Sequence, residues 1–199
     1  MRRLDEIITF NKAFVEKRSY ECFKTTKYPD KKMIIFSCMD TRLTQLLPEA
    51  LNLQNGDAKF IKNAGAIVKH PFGSVMRSII VAIYELKVEE IIVIGHHGCG
   101  MSSIDPKKVI ESMKMQGISD ETLQTIKYSG IDLNTWLLGF DCVFESVRES
   151  VDKICNHPLV PKTIAVHGLI IDPETGLLEL VVNGYKDNFD HNMVKNPFE

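Results

Sequence analysis

Apolar residues fall into two rhythms along this chain. Met33-Ile34-Ile35-Phe36, Ile91-Ile92-Val93-Ile94 and Thr163–His167, continuing through Gly168 to Leu169-Ile170-Ile171, are short β-branched runs with the length of buried strands. Ala58-Lys59-Phe60-Ile61 supplies another strand after the turn signal Asn55-Gly56-Asp57. Helical spacing governs three other stretches. Residues 3–19 carry Leu4, Ile7, Ile8 and Phe14, and residues 74–86 carry Val75, Ile79, Ala82, Ile83 and Leu86. From about Thr135 to Cys155 a long stripe runs through Trp136, Phe140, Val143, Phe144, Val147, Val151 and Ile154. Asp132 or Asn134 can cap that helix, and Pro158 and Pro161 end it.

The remaining stretches are shorter or weaker. Leu43–Pro48 allows a helical turn or two, and Asp105-Pro106 starts a short helix with proline at its first position. Residues 117–131 show little pattern. Tyr28-Pro29-Asp30 breaks the chain before the first strand. Asp172–Gly176 reads as a hairpin turn into a last strand, Leu178–Val182. Strands alternating with helices and closing on a hairpin predict an α/β fold: a mainly parallel sheet flanked by helices, with an antiparallel edge strand. The expectation is one domain over residues 1–199, with an N-terminal helical arm over about residues 1–26.

Composition narrows the function classes. Of 199 residues, 44% are hydrophobic and 25% charged, ordinary values for a globular protein. A net charge of −2 without a Lys/Arg cluster gives no nucleic-acid footprint. No apolar run reaches the ~18 residues of a membrane helix. Asp5 and Glu6 interrupt the basic start, and no signal-peptide core follows. Five cysteines without scaffold-like spacing point to a reducing, cytoplasmic setting.

Two strand ends carry the chemistry. Ser37-Cys38-Met39-Asp40-Thr41-Arg42 follows one strand and Gly95-His96-His97-Gly98-Cys99-Gly100 follows another. In an open parallel sheet, ligands gather at the carboxyl ends of the strands. Side by side, these ends bring Cys38, Asp40, His96 and Cys99 together, a set of thiolates, imidazole and carboxylate suited to zinc. His97 leaves its strand opposite to His96. Arg42 can hold Asp40 in a bidentate pair; the plain alternative is a simple loop salt bridge. Gly65, in Asn63-Ala64-Gly65-Ala66, permits close backbone approach to a bound group, or simply starts a loop. Cys22, Cys142 and Cys155 read as small buried hydrophobes, and His167 as a hydrogen-bonded core histidine.

The paired motifs resemble the signature of the β-class carbonic anhydrases, most closely the compact bacterial members. The resemblance runs from about residue 31 to 183 and includes Asn63-Ala64-Gly65, the helix at 74–86, the long helix and the closing hairpin. It implies Cys38, His96 and Cys99 as zinc ligands, one zinc per chain, with Asp40 and Arg42 as the acid and base beside the metal. Asp40 can also take the fourth zinc position and close the site. The implied activity is reversible hydration of carbon dioxide to bicarbonate by hydroxide generated on zinc. The implied assembly is a homodimer or higher homo-oligomer. For the N-terminal helix, the plain reading is packing on its own domain; the resemblance adds an arm reaching across a subunit interface. Plant-type members carry a glutamine before the first motif, and Tyr28–Lys32 offers none. Three other readings remain: hydrolysis of an analogue such as carbonyl sulfide or carbon disulfide, a non-catalytic zinc or partner-binding module, and a Cys38/Cys99 redox pair.

Overall fold

The computed structural model describes residues 2–185. The apolar runs form strands β1 (Met33–Cys38), β2 (Ala58–Asn63), β3 (Glu90–His96) and β4 (Ala165–Ile171), and the hairpin adds β5 (Leu178–Val182). They make one sheet in the order β2-β1-β3-β4-β5, parallel except for the antiparallel β4–β5 pair. The order reverses direction between β1 and β3, so their carboxyl ends open onto a topological switch point.

Alternation along the strands divides the core into two. On one face, Ile34, Phe36, Ile91 and Val93 pack beneath α3 (Ser74–Leu86) and α7 (Val143–Cys155), which contribute Met76, Ile79, Val147, Val151 and Ile154. On the other, Ile35 and Ile94 pack with Leu43 and Leu47 of α2 (Leu43–Ala50) and with Cys38, Cys99 and Ile171. Burial on both faces is why β1 and β3 read as continuous apolar runs.

The expected long helix is two. The α6 helix (Leu133–Leu137), capped by Asp132, is separated from α7 by Leu138–Cys142. The stripe that suggested continuity serves different surfaces. Phe140 packs on the core containing Cys38 and Cys99, Val147 and Ile154 on the opposite core, and Trp136 is exposed. Gly139 lies so close to the Met101 carbonyl that a Cβ would stand 1.8 Å from its oxygen. Phe140 N–H also donates to that oxygen, at 3.3 Å.

Residues 117–131, which show little pattern in the sequence, contain α5 (Asp120–Tyr128). Ser119 caps it by accepting from Thr122 N–H, and Asp120 and Glu121 favour its first turn. Only Leu123 and Ile126 are half-buried there, too few to establish a period. Asp105 caps α4 (Pro106–Met115) as expected.

The α1 helix (Arg3–Glu16), expected on the plain reading to pack on its own domain, has no buried residue among the described part of the chain. Leu4, Ile7, Ile8 and Phe10 are exposed, and Phe14 meets Phe23 with ring centroids 6.4 Å apart. Cys22 and Cys142 are also exposed rather than buried, because one lies in a surface turn and the other at the start of α7; Cys155 is half-buried. His167 is the bonded core residue expected: its Nδ1 accepts from Gly184 N–H at 3.0 Å and its Nε2 stands 3.2 Å from Glu90 Oε1. Among the described residues, no helix is long and apolar enough to cross a membrane.

Candidate metal centre

The β1–β3 register pairs Ser37 with Ile94, which places Cys38 beside the last residues of β3. Beyond β1, Met39 N–H donates to Asn63 O at 2.8 Å and extends the ladder toward β2. Beyond β3, His97 N–H donates to Ile171 O at 3.1 Å. The chain then turns tightly, with Ser102 N–H and Oγ–H both donating to Cys99 O. These anchors bring Cys38, His96 and Cys99, all buried, into a group whose ligand atoms lie within 4.8 Å of one another.

The donor set fits zinc. Zn–S bonds of ~2.3 Å at a tetrahedral angle require sulfurs ~3.8 Å apart, and Cys38 Sγ and Cys99 Sγ are 3.9 Å apart. His96 Nδ1 lies 2.9 Å from His97 O, an interaction that requires a proton on Nδ1 and leaves the Nε2 lone pair free. That Nε2 is buried and has no hydrogen-bond partner. An orphaned acceptor costs free energy unless something binds it.

Electrostatics distinguish the two thiols. Burial pushes Cys38 up, but the His96 ring and the N–H groups of Gly65 and Asp40 outweigh it, bringing the thiol down to about 7. Burial, reinforced by the neighbouring Cys38, pushes Cys99 up to about 11. Cys38 in turn raises His96 against the effect of its burial.

Asp40, expected to neighbour the cluster, is held by Arg42. Its Oδ1 accepts from Arg42 Nε at 3.0 Å and its Oδ2 from Arg42 Nη2 at 2.9 Å; Arg42 N–H adds a third bond at 2.9 Å. Arg42 Nη2 also donates to Gly98 O at 3.3 Å, tying the first motif to the second. These bonds hold the Asp40 carboxyl at about 2. In this arrangement Asp40 Oδ2 is 3.7 Å from His96 Nε2, beside the cluster. Gly65, read as a weak substrate contact, has φ of 80° and donates its N–H to Cys38 Sγ at 3.3 Å. His97 turns away, with Nε2 2.8 Å from Glu179 Oε1 of β5. Sequence reading missed that partner and the Gly98 carbonyl, since both contacts depend on how separate loops meet.

A parallel sheet whose switch point gathers two cysteines and a histidine defines an α/β metalloprotein. A family model described as carbonic anhydrase matches residues 33–178. The Bacillus subtilis (strain 168) protein YtiB is 58% identical over 187 residues, spanning 94% of this chain and 100% of its own; its name gives carbonic anhydrase only as a proposed activity. The crystal structure of β-carbonic anhydrase isoform I from Trichomonas vaginalis has a TM-score of 0.84 and 34% identity, covering 93% of this chain and 100% of that one. A carbon disulfide hydrolase of Acidithiobacillus thiooxidans is 30% identical over 159 residues, 75% of this chain and 76% of that protein. The chain belongs to the β-carbonic anhydrase family. Members of this family use zinc, and Cys38, His96 and Cys99 form the group here that can bind a metal.

Proposed function

We propose that the protein catalyses reversible hydration of carbon dioxide to bicarbonate, with one zinc per chain held by Cys38, His96 and Cys99. The observation that supports this most is the partnerless Nε2 of His96, buried against two thiols at tetrahedral spacing. When bound, zinc supplies a Lewis acid that makes water a nucleophile at accessible pH.

The remaining roles belong to side chains of this chain. Arg42 fixes the orientation of Asp40 by bidentate bonds. Asp40, ionised throughout the working range, accepts a hydrogen bond from the incoming nucleophile and orients it toward carbon dioxide. The Arg42 guanidinium favours the anionic product electrostatically. Asp40 is also the carboxylate that can take the fourth metal position and close the site. The exposed apolar residues of α1 support a homodimer or larger homo-oligomer with this helix as an arm. Reduced thiols are needed for metal binding, which supports a cytoplasmic setting.

Carbon disulfide hydrolysis at the same residues is a second reading, favoured by the Acidithiobacillus relative. Stopped-flow carbon dioxide hydration across pH, on protein of measured zinc content, tests the first reading. Sulfide release from carbon disulfide on the same sample tests the second. A hydration rate that scales with zinc content sustains the proposal. Sulfide release without hydration transfers it to the second reading. Full zinc loading with neither activity leaves a non-catalytic zinc module.

A further inference from the structure

The loop that carries the Gly65 N–H to Cys38 Sγ holds its next residue, Ala66, in a conformation alanine disfavours. Gly65 and Ala66 lie consecutively in the left-handed region, at φ 80° and 55°. For alanine, which has a Cβ, that region is unfavourable. It persists where surrounding contacts over-determine the backbone.

Two side chains supply those contacts. Asn63 closes the loop from within: its Nδ2 donates to Ile67 O at 2.8 Å and its Oδ1 accepts from Ile67 N–H at 3.1 Å. Ser150 braces it from outside. Its Oγ–H donates to Ala66 O at 3.2 Å and its Oγ accepts from Val68 N–H at 3.2 Å. Ser150 is 1% exposed and shares the buried face of α7 with Val147, Val151 and Ile154. Since α7 packs on the sheet, the hydroxyl ties the loop to the rigid part of the fold.

We propose that Ser150 is a positioning residue for the metal centre: by holding Ala66 and Val68, its hydroxyl keeps the Gly65 N–H aimed at Cys38 Sγ. The proposal rests on the reading that Cys38 ligates the metal. An N–H donated to a thiolate draws electron density from the sulfur and reduces its donation to the metal, so the brace tunes the site without touching substrate. Losing it leaves a buried N–H and a buried C=O unpaired and frees Ala66 to relax, which withdraws the Gly65 N–H.

The test uses the full chain with cobalt(II) in place of zinc, reading the sulfur-to-cobalt charge-transfer band and the metal affinity by chelator competition. In Ser150→Ala the band should move to longer wavelength, as the thiolate becomes a stronger donor, and affinity should change by about 10-fold, the lower end of outer-shell effects. Ser150→Cys, which keeps a side chain of similar size but pairs poorly with the loop, should shift the same way and covers the case in which the alanine variant does not fold. Val151→Ala, on the same helix, should lose stability with the band unmoved. If both Ser150 variants that fold keep the wild-type band and affinity, the proposal is overturned. An equal shift in Val151→Ala overturns it too, since the effect would then be general loosening of α7. A wild-type protein that binds cobalt without a sulfur charge-transfer band instead overturns the reading of Cys38 as a ligand.

Discussion

Arg42 grips Asp40 through both carboxylate oxygens, at 3.0 and 2.9 Å, and through its own backbone N–H. This grip holds the Asp40 carboxyl at about 2, below its ordinary 3.8. A depressed carboxyl stabilises the folded state above its ordinary value, and the contribution is lost as pH falls through the folded value. The stability difference between wild type and Arg42→Ala should therefore be constant above about pH 4 and shrink between about pH 4 and 2. Parallel denaturation curves across that window measure it; a difference that grows with acid would contradict the assignment.

On the proposed reading a bound metal would offer Asp40 a second partner, its fourth position. Hydroxide competes for that position better than water does, so rising pH should drive Asp40 onto Arg42 and open the site. Hydration activity should be low near neutral pH and rise on the alkaline side. Arg42→Ala, lacking the anchor of the open arrangement, should stay inactive at high pH. Wild-type rates in that variant would rule the switch out.

Elemental analysis of purified protein should find about one zinc per chain, as the one three-ligand cluster among the described residues allows. Cys38→Ala, His96→Ala and Cys99→Ala should each lose metal and activity together. Removing zinc with a chelator should abolish activity, and adding zinc back should restore it. Full retention of metal in Cys99→Ala would remove that residue from the ligand set.

Gly139→Ala places a methyl group 1.8 Å from the Met101 carbonyl oxygen. Met101 belongs to the turn that follows Cys99, so relief of the clash must move either that turn or the α6–α7 connection. Urea unfolding should show a loss of about 1–3 kcal/mol, as for other overpacked sites. An unchanged midpoint would mean the approach is not tight.

Deleting residues 1–19 should weaken self-association, because it removes Leu4, Ile7, Ile8 and Phe10, which stay exposed among the described residues. Sedimentation velocity over a concentration series reads this directly. A monomeric wild-type protein of full activity would defeat the arm as an association element.

What the sequence made legible was local. Met33–Phe36 and Ile91–Ile94 announce strands, and the residues just past their ends carry the cluster, so Cys38, His96 and Cys99 needed only adjacent strands to meet. Where one stripe served two surfaces the reading failed: Phe140 belongs to the core of the metal side and Val147 to the opposite one, although both fit one helical period. The α5 helix was hidden because its signal lies in the cap at Ser119 rather than in an apolar face. Ser150 was beyond reach for another reason. Its partners lie 82 and 84 residues away, and one buried serine on an amphipathic helix carries no mark of what it will bond.

Cys38 and Cys99 are each 5% exposed and pack among Ile35, Leu43, Leu47, Ile94 and Ile171, so the proposed ligands are themselves part of a hydrophobic core. A metal bound there joins the interior of the fold. A metal that binds the folded chain and not the unfolded one stabilises by mass action, by about 2.7 kcal/mol at a hundredfold excess over its dissociation constant. Zinc supply should therefore act on the stability of the polypeptide as well as on the site. Protein stripped of zinc is expected to unfold at lower urea and to be cut faster by added protease than zinc-loaded protein, so scarcity would lower its abundance instead of leaving a reserve of idle protein.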